Sequence, residues 1–173
     1  ANLANADLTS TRLRNLDLTN ADLSRTHWYD ALVHDTMFRG ATMRNADLRG
    51  SHFSRVDLRG ADLRNANVAL TTVQGVSYRT ALVDSDMRGA DLRGADMSAA
   101  RLWGTDLRGA DIRGTNFRGA STIDRTCIGF SLCPSAKWRG AMYDENTRFN
   151  PGFDPAQHGM ILTPQHDSAD NPA

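Results

Sequence analysis

Residues 90–119 read Ala-Asp-Leu-Arg-Gly, Ala-Asp-Met-Ser-Ala, Ala-Arg-Leu-Trp-Gly, Thr-Asp-Leu-Arg-Gly, Ala-Asp-Ile-Arg-Gly and Thr-Asn-Phe-Arg-Gly, which are six consecutive units of five residues. Each unit starts with a small residue and carries a large apolar residue at its centre, followed in most units by Arg and Gly. A period of five fits neither the 3.6-residue period of a helix nor the two-residue period of a strand. The stretch therefore predicts a short extended piece that ends in a turn and is repeated.

The same period runs through most of the chain, in three successive phases. Central apolar residues recur every fifth position from Leu3 to Val83, then from Met87 to Phe117, and finally from Ile123 to Tyr143. All 29 centres are apolar or Cys, and the residue two positions earlier is Ala, Ser or Thr at 26 of them. We interpret the two shifts of phase as tolerated variants of a corner; the alternative interpretation is a functional bulge or loop.

The residue types within a unit have a direct physical meaning. In an extended piece the small and the large residue point inward, and the residue between them points outward. The last two residues turn the corner, where Gly is favoured because it tolerates a positive φ. Successive pieces then wind into stacked coils, which is a solenoid.

Composition supports this interpretation. The 173 residues include 14 Gly, 19 Asp against one Glu, and 19 Arg against one Lys. Soluble helices use Glu and Lys heavily, whereas Asp competes with the helical backbone, so a helical bundle is disfavoured. The 20 basic and 20 acidic residues balance, which argues against a broad surface of one charge. The sequence contains no apolar run of about 18 residues, so no membrane span is predicted.

The unit Ala-(Asp/Asn)-Leu-x-x, as in 61–65 and 90–94, resembles the repeat of the pentapeptide-repeat protein family. The resemblance implies an all-β fold, a right-handed quadrilateral β-helix with four pentads per coil, and hence about seven coils. We predict the β-helix over 1–143, a C-terminal cap over 144–162 and a flexible tail over 163–173. Asp154 before Pro155, and Gly159 after them, predict a short helical turn in the cap. The cap segment is similar to the tail of many cyanobacterial members of the family.

The sequence carries no catalytic constellation. Its five histidines and two cysteines do not form the spacing of a metal site, and the glycines follow the corner period instead of a phosphate loop. We therefore expect no catalytic, cofactor-binding or metal-binding residues, and a non-enzymatic protein-interaction or structural module whose partner the sequence does not name.

Departures from the repeat consensus identify candidate surfaces. One early coil and its neighbour place apolar, aromatic or imidazole side chains where Asp or Arg is usual: His27, Tyr29, Leu32, His34, Met37 and His52. Exposed groups of this kind are common in binding hot spots, so this patch is the first candidate for a docking site. The secondary candidates are outward-facing Trp103 and a predicted stripe of arginines on one face: Arg39, Arg59, Arg79, Arg118 and Arg139.

The two cysteines leave the compartment open. Cys127 and Cys133 lie six residues apart and are a candidate disulfide, although a strict register points one outward and the other inward. A disulfide would favour an oxidising compartment such as the thylakoid lumen or periplasm, where some cyanobacterial relatives reside. Free cysteines would favour the cytoplasm. No signal peptide is predicted at Ala1, and the sequence leaves open whether residues upstream of it were removed.

Two predictions concern partners. The first coil shows no cap, and unpaired strand edges invite pairing, so any homodimer is expected to use the N-terminal end. Neither a membrane nor direct contact with nucleic acid is expected.

The resemblance also offers a second function, since some members imitate duplex DNA and protect DNA gyrase. That role requires a strongly acidic rod, and the balanced charge of this chain disfavours it.

Overall fold

The computed structural model describes residues 1–123 and 135–163. Parallel bridges join residues twenty positions apart, such as Asn2 with Asp22 and Asp7 with His27. Because twenty residues are four pentads, each coil has four sides, as the resemblance implies. The predicted all-β fold is confirmed.

Most sides are too short to form named strands. In chain order the strands are β1 (Arg12–Arg14), β2 (Leu32–His34), β3 (His52–Ser54), β4 (Thr71–Val73), β5 (Val76–Tyr78), β6 (Ala81–Val83), β7 (Met142–Tyr143) and β8 (Ile161–Leu162). β1, β2, β3 and β6 form a parallel sheet in that order, β4 and β5 an antiparallel hairpin, and β7 and β8 a parallel pair.

We number the four sides of the solenoid by the first residues that they contain. Wall 1 holds the ladder that starts at Asn2, wall 2 the ladder from Asp7, wall 3 the ladder from Arg12 and wall 4 the ladder from Asp17. The bridged residues are the outward ones that precede each central apolar residue. Wall 3 therefore contains the sheet formed by β1, β2, β3 and β6 and continues through Arg101 and Ser121.

The core is the narrow space between the walls, and the central apolar residues fill it. Leu48, Leu58 and Leu92 are at most 1% exposed. Trp28 is fully buried against Phe38 and Phe53, with ring centroids 6.0 and 5.3 Å away. Its indole N–H donates to the Thr26 hydroxyl at 2.7 Å, so the core accommodates this wide side chain with its polar atom satisfied. Small residues before each centre, mainly Ala, are buried as well.

The corners explain the final residue of each pentad. Gly occupies many of them at positive φ, and within 1–123 and 135–163 twelve corner residues other than Gly also adopt positive φ, of which Asn5, Asp30 and Asn65 are examples. Asn and Asp tolerate this left-handed region better than most residues do. The corner therefore requires a residue in the left-handed conformation, and Gly is the residue found there most often.

The first predicted phase is wrong beyond Val68. β3 pairs with β6 so that His52 faces Ala81, which is twenty-nine positions away instead of twenty, and nine residues are therefore inserted at this corner. Leu82 is the fully buried centre that follows Val68, while Val73 and Tyr78 are exposed. The phase shift after Val83 thus results from a hairpin, β4 and β5, inserted before β6, and not from a corner variant.

A second correction concerns the start of the last predicted phase. Ser121 pairs with Arg101, which makes Thr122 the central residue, and Ile123 is 49% exposed. Lys137 then pairs with Asp106, so Trp138 is a buried centre as predicted. Tyr143 follows Met142, which pairs with Asp111, and is a partly buried centre packed against the core, as predicted. The other two predicted centres of this phase, Ile128 and Cys133, lie outside the described residues.

The segment after Tyr143 packs over the end of the core. Phe149 stacks on Phe117 and on Phe153, with ring centroids 6.0 and 4.9 Å apart. A 3-10 turn spans Ala156–His158 and ends at left-handed Gly159. The Asp154 carboxylate accepts a hydrogen bond from the first amide of this turn, at 3.0 Å. No α-helix occurs in 1–123 or 135–163, so the predicted helical element amounts to this single turn.

Candidate interaction surface

Walls 1 and 4 are covered by self-neutralising ladders of Asp and Arg. The residue before a centre is usually Asp and the residue after it Arg, and their side chains pair on the surface. On wall 1 the pairs involve Arg44, Asp62, Arg64, Asp91, Arg93, Asp111 and Arg113. On wall 4 they involve Arg39, Asp57, Arg59, Asp86, Arg88, Asp106 and Arg108. Both walls therefore have most of their charge satisfied internally.

Asp57 shows how strongly such a carboxylate is held in its charged form. It accepts hydrogen bonds from Arg59 within its own pentad and from Arg39 of the preceding coil. These bonds lower the pKa of Asp57 from 3.8 to about 2, the Arg59 bond contributing most. A partner that competed for this carboxylate would first have to break existing pairs.

Wall 3 has the opposite character. Within 1–123 its outward strand positions contain no acidic residue; before the centres stand Arg12, Leu32, His52, Ala81, Arg101 and Ser121, and after them Arg14, His34, Ser54, Val83, Trp103 and Ile123. Acidic residues occur only at its corners, where Asp35 pairs with Arg55 at 2.8 Å. The wall is thus a mixed apolar and cationic surface without the Asp–Arg ladder.

The side chains of wall 3 contact each other along the ladder. The rings of His34 and His52 lie 5.6 Å apart. Burial, and then the proximity of His34 and Arg101, lower the pKa of His52 from its usual value of 6.5. The Arg101 guanidinium lies 5.5 Å from the ring of Trp103, whose indole N–H donates to the Ser121 hydroxyl at 2.9 Å. Trp103 therefore joins this surface.

The predicted patch does not form a single face. Leu32, His34 and His52 lie together on wall 3, but His27 is on wall 2, where it pairs with Asp7 and Asp47. Five consecutive outward positions of a coil go round the rod, and only those of one wall share a face.

Met37 and Tyr29 are also separated from the wall 3 residues. Met37 is on wall 4, where it pairs with Asp17 and Asp57. Tyr29 is on wall 2 and contacts Tyr78 of the inserted hairpin, with ring centroids 6.0 Å apart. Tyr29 thus has a structural neighbour that the sequence period concealed.

The predicted arginine stripe is wrong at two of its members. Arg39, Arg59 and Arg139 follow centres of wall 4 as expected. Arg79 instead follows the hairpin, and Arg118 follows a centre of wall 2, because the nine inserted residues move both out of the predicted register. Their places on wall 4 are taken by Arg88 and Arg108, both of which pair with Asp.

The hairpin was not predicted from the sequence as a distinct element. Its signal was present, since the β-branched and aromatic runs Thr71-Thr72-Val73 and Val76-Ser77-Tyr78 flank the two residues Gln74-Gly75. Val73 and Tyr78 lie five residues apart by coincidence, and this spacing concealed the hairpin within the repeat.

The described chain lacks two other kinds of feature. In 1–123 and 135–163, no group of three or more His, Cys, Asp or Glu is arranged to hold a metal ion. Within the same residues, no helix has the length and apolar character needed to cross a bilayer. The candidate disulfide of Cys127 and Cys133 lies outside them.

Comparison with known proteins agrees with the repeat. The family described as Pentapeptide repeats matches in eight copies over residues 1–27, 34–68 and 82–121, and the second gap contains the hairpin. No curated protein sequence matches the chain.

Solved structures that are similar to the chain include two pentapeptide repeat proteins and a resistance protein. A pentapeptide repeat protein from Nostoc PCC 7120 is 28% identical over 85% of this chain and 84% of its own, with a TM-score of 0.39. One from the thylakoid lumen of Arabidopsis thaliana is 24% identical over 63% of this chain and 70% of its own, with a TM-score of 0.43. QnrB1, a plasmid-mediated fluoroquinolone resistance protein, is 17% identical over 94% and 79%, with a TM-score of 0.43. Since the family matches more than half of its residues, the chain belongs to the pentapeptide-repeat family, whose fold is a right-handed β-helix.

Proposed function

We propose that this protein is a non-enzymatic interaction module and that a partner protein docks on wall 3. The observation that supports the proposal is the contrast between walls. Walls 1 and 4 pair their Asp and Arg side chains, whereas wall 3 offers Leu32, two histidines, Trp103 and the Arg101 guanidinium beside it. Apolar, aromatic and Arg side chains are enriched at the centres of protein interfaces.

Leu32 and Met37 provide a matched pair of variants for testing the docking wall. Both are apolar, both are 36% exposed, and they lie on the same coil but on walls 3 and 4. Tagged wild-type protein, Leu32→Asp and Met37→Asp are used to capture proteins from an extract of the source organism, followed by quantitative mass spectrometry. We expect both variants to melt like the wild type, and only Leu32→Asp to lose the partner. Equal recovery of partner by the two variants would contradict docking on wall 3.

The competing function is imitation of DNA and binding to gyrase. The equal number of acidic and basic residues disfavours it, as does the pairing of Asp with Arg on walls 1 and 4. A supercoiling assay with purified gyrase and a quinolone separates the two functions. Protection of the enzyme by this protein would favour imitation of DNA over docking of a partner on wall 3.

The proposal includes an architecture of about seven coils over 1–143, a cap over 144–162 and a tail over 163–173. The stacking of Phe149 and Phe153 and the burial of Met160 support the capping role. At the opposite end Leu3, Leu8, Leu13 and Leu18 are only partly buried, which supports a homodimer through the N-terminal end. Light scattering over a range of concentrations tests that dimer. The compartment is proposed to be the cytoplasm, or the lumen or periplasm if the cysteines form a disulfide.

A further inference from the structure

The hairpin of β4 and β5 is an addition to a solenoid that is complete without it. Val68 is the buried centre on wall 2 and Leu82 the buried centre on wall 3. Without residues 70–78, Ala69 and Arg79 would supply the two corner residues, and Thr80 the small residue before the next centre. Arg already occupies such a corner at positive φ in Arg25 and Arg55. The fold therefore does not explain the nine extra residues.

The hairpin has two chemically different faces. Gln74 and Gly75 both have positive φ, which is the two-residue type I′ turn favoured in hairpins. Since side chains alternate along a strand, Val73, Val76 and Tyr78 share one face, together with Thr71. The opposite face carries Thr72 and Ser77, whose hydroxyl oxygens lie 3.2 Å apart.

The apolar face is turned toward wall 2, and Tyr29 supports it there. The Tyr29 ring packs edge-on against Tyr78, and it lies so close to the Gly50 corner that a Cβ on that glycine would come within 3.1 Å of the ring. Between hairpin and wall lies a crevice of about 210 Å³, lined by Tyr29, Asp47, Arg49, Thr71 and Val73.

The apolar residues around this crevice are left uncovered. Val73 is 41% exposed, Val76 53% and Tyr78 39%. From Leu70 to Tyr78 the chain contains no charged residue. On the floor, Arg49 and Asp47 satisfy each other through two side-chain hydrogen bonds of 2.8 and 2.6 Å. The crevice therefore suits an uncharged, apolar group.

Both size and backbone geometry favour a protein segment as the occupant. Pockets for free small molecules usually measure about 300–1,000 Å³, so this crevice has room for little more than one large side chain. The residues that flank a two-residue turn form the hydrogen-bonded pair of the hairpin, so the next pair, Thr72 and Ser77, directs its amides and carbonyls outward. Within the described chain these groups make no backbone hydrogen bond outside the hairpin.

We propose that the crevice between the hairpin and wall 2 binds an uncharged, extended segment of a partner protein. One large apolar side chain of that segment fills the space between Tyr29 and Val73, and its backbone pairs with a free edge of the hairpin as an added strand. This site is separate from wall 3, so either proposal can fail without the other.

The probes are two blocked hexapeptides, one of threonine with a central leucine and one with aspartate in place of that leucine. Binding to the full-length, isotope-labelled protein is followed by NMR. The leucine peptide is expected to shift the resonances of Val73, Val76 and Tyr29 at millimolar concentration or below. The aspartate peptide is expected to bind at least about tenfold more weakly.

Three variants locate the binding. The first variant is Val76→Asp, at an exposed position, and the second is deletion of residues 70–78, which restores the pentad period. Both are expected to keep the NMR spectrum of the folded solenoid. Their affinity for the leucine peptide is expected to fall at least about tenfold. Leu32→Asp on wall 3 is expected to bind it like the wild type. No shift with the leucine peptide, equal shifts with both peptides, or binding that survives in Val76→Asp would overturn the proposal. Shifts at the hairpin that depend on protein concentration without peptide would also overturn it, since they would identify a second copy of the chain as the occupant.

Discussion

Replacing Leu82 and Val83 separately by Ala tests the register of the β-helix beyond the hairpin. The five-residue period of the sequence makes Val83 the inward centre, whereas the structure buries Leu82 completely and leaves Val83 partly exposed on wall 3. The two side chains are neighbours in the same strand, so both variants experience the same backbone. Their effects on the free energy of unfolding therefore report which residue points inward.

The expected magnitudes follow from burial. Leu82→Ala removes about three methylene equivalents, which are worth about 0.8 kcal/mol each in transfer free energy. The cavity adds to this, because Phe53 and Leu102 on either side are held by the backbone ladder and collapse poorly. We therefore expect a loss of about 3–5 kcal/mol. Val83→Ala removes two partly exposed methyl groups, and we expect a loss of about 1 kcal/mol or less.

Urea denaturation followed by circular dichroism measures both losses. The slope of the transition should be unchanged in each variant, so that the shift of its midpoint reports stability alone. A loss for Val83→Ala that equals or exceeds the loss for Leu82→Ala would refute the register in which Leu82 points inward. It would also remove the nine-residue insertion on which the hairpin site depends.

Other variants test the core, the charge ladder and the support of the hairpin. Leu58→Ala should lower the free energy of unfolding by about 2–5 kcal/mol, since Leu58 is 1% exposed. Arg59→Ala should lower it by at most about 1 kcal/mol. Equal losses for the two variants in urea denaturation would contradict this expectation. The pKa of Asp57 in the folded state is about 2, below the ordinary 3.8. The charged Asp57 side chain therefore stabilises the fold fully above pH 3.8, and this stabilisation is lost as the pH falls toward 2. The free energy of unfolding, measured across that range, should depend less on pH in Asp57→Asn than in the wild type. Tyr29→Ala should expose the hairpin to limited proteolysis beside Tyr78 while the melting temperature changes little, and an unaltered cleavage pattern would argue against its supporting role.

The interaction surface shows how much the sequence could predict. Departures of Leu32, His34 and His52 from the consensus were visible in the sequence, and the structure brings these three together. Their separation from Met37 and Tyr29 depends on which wall each pentad occupies, which requires the four-sided winding. The lack of acidic residues at the outward strand positions of wall 3 within 1–123 becomes evident only when residues about twenty positions apart are aligned in space.

The sequence by itself determined the β-helix, its five-residue unit and most of its core. These properties are local: a small and a large inward residue, an outward residue between them and a left-handed corner recur within each pentad, so Leu48, Leu58 and Leu92 were correctly placed. The tertiary structure alone decided where the repeat is interrupted. Val73 and Tyr78 match the period in sequence, yet pairing of Thr71–Val73 with Val76–Tyr78 lifts both out of the core. The physical reason is that antiparallel pairing across Gln74-Gly75 satisfies the hairpin backbone outside the solenoid, while the ladder on wall 3 resumes by pairing β6 with β3.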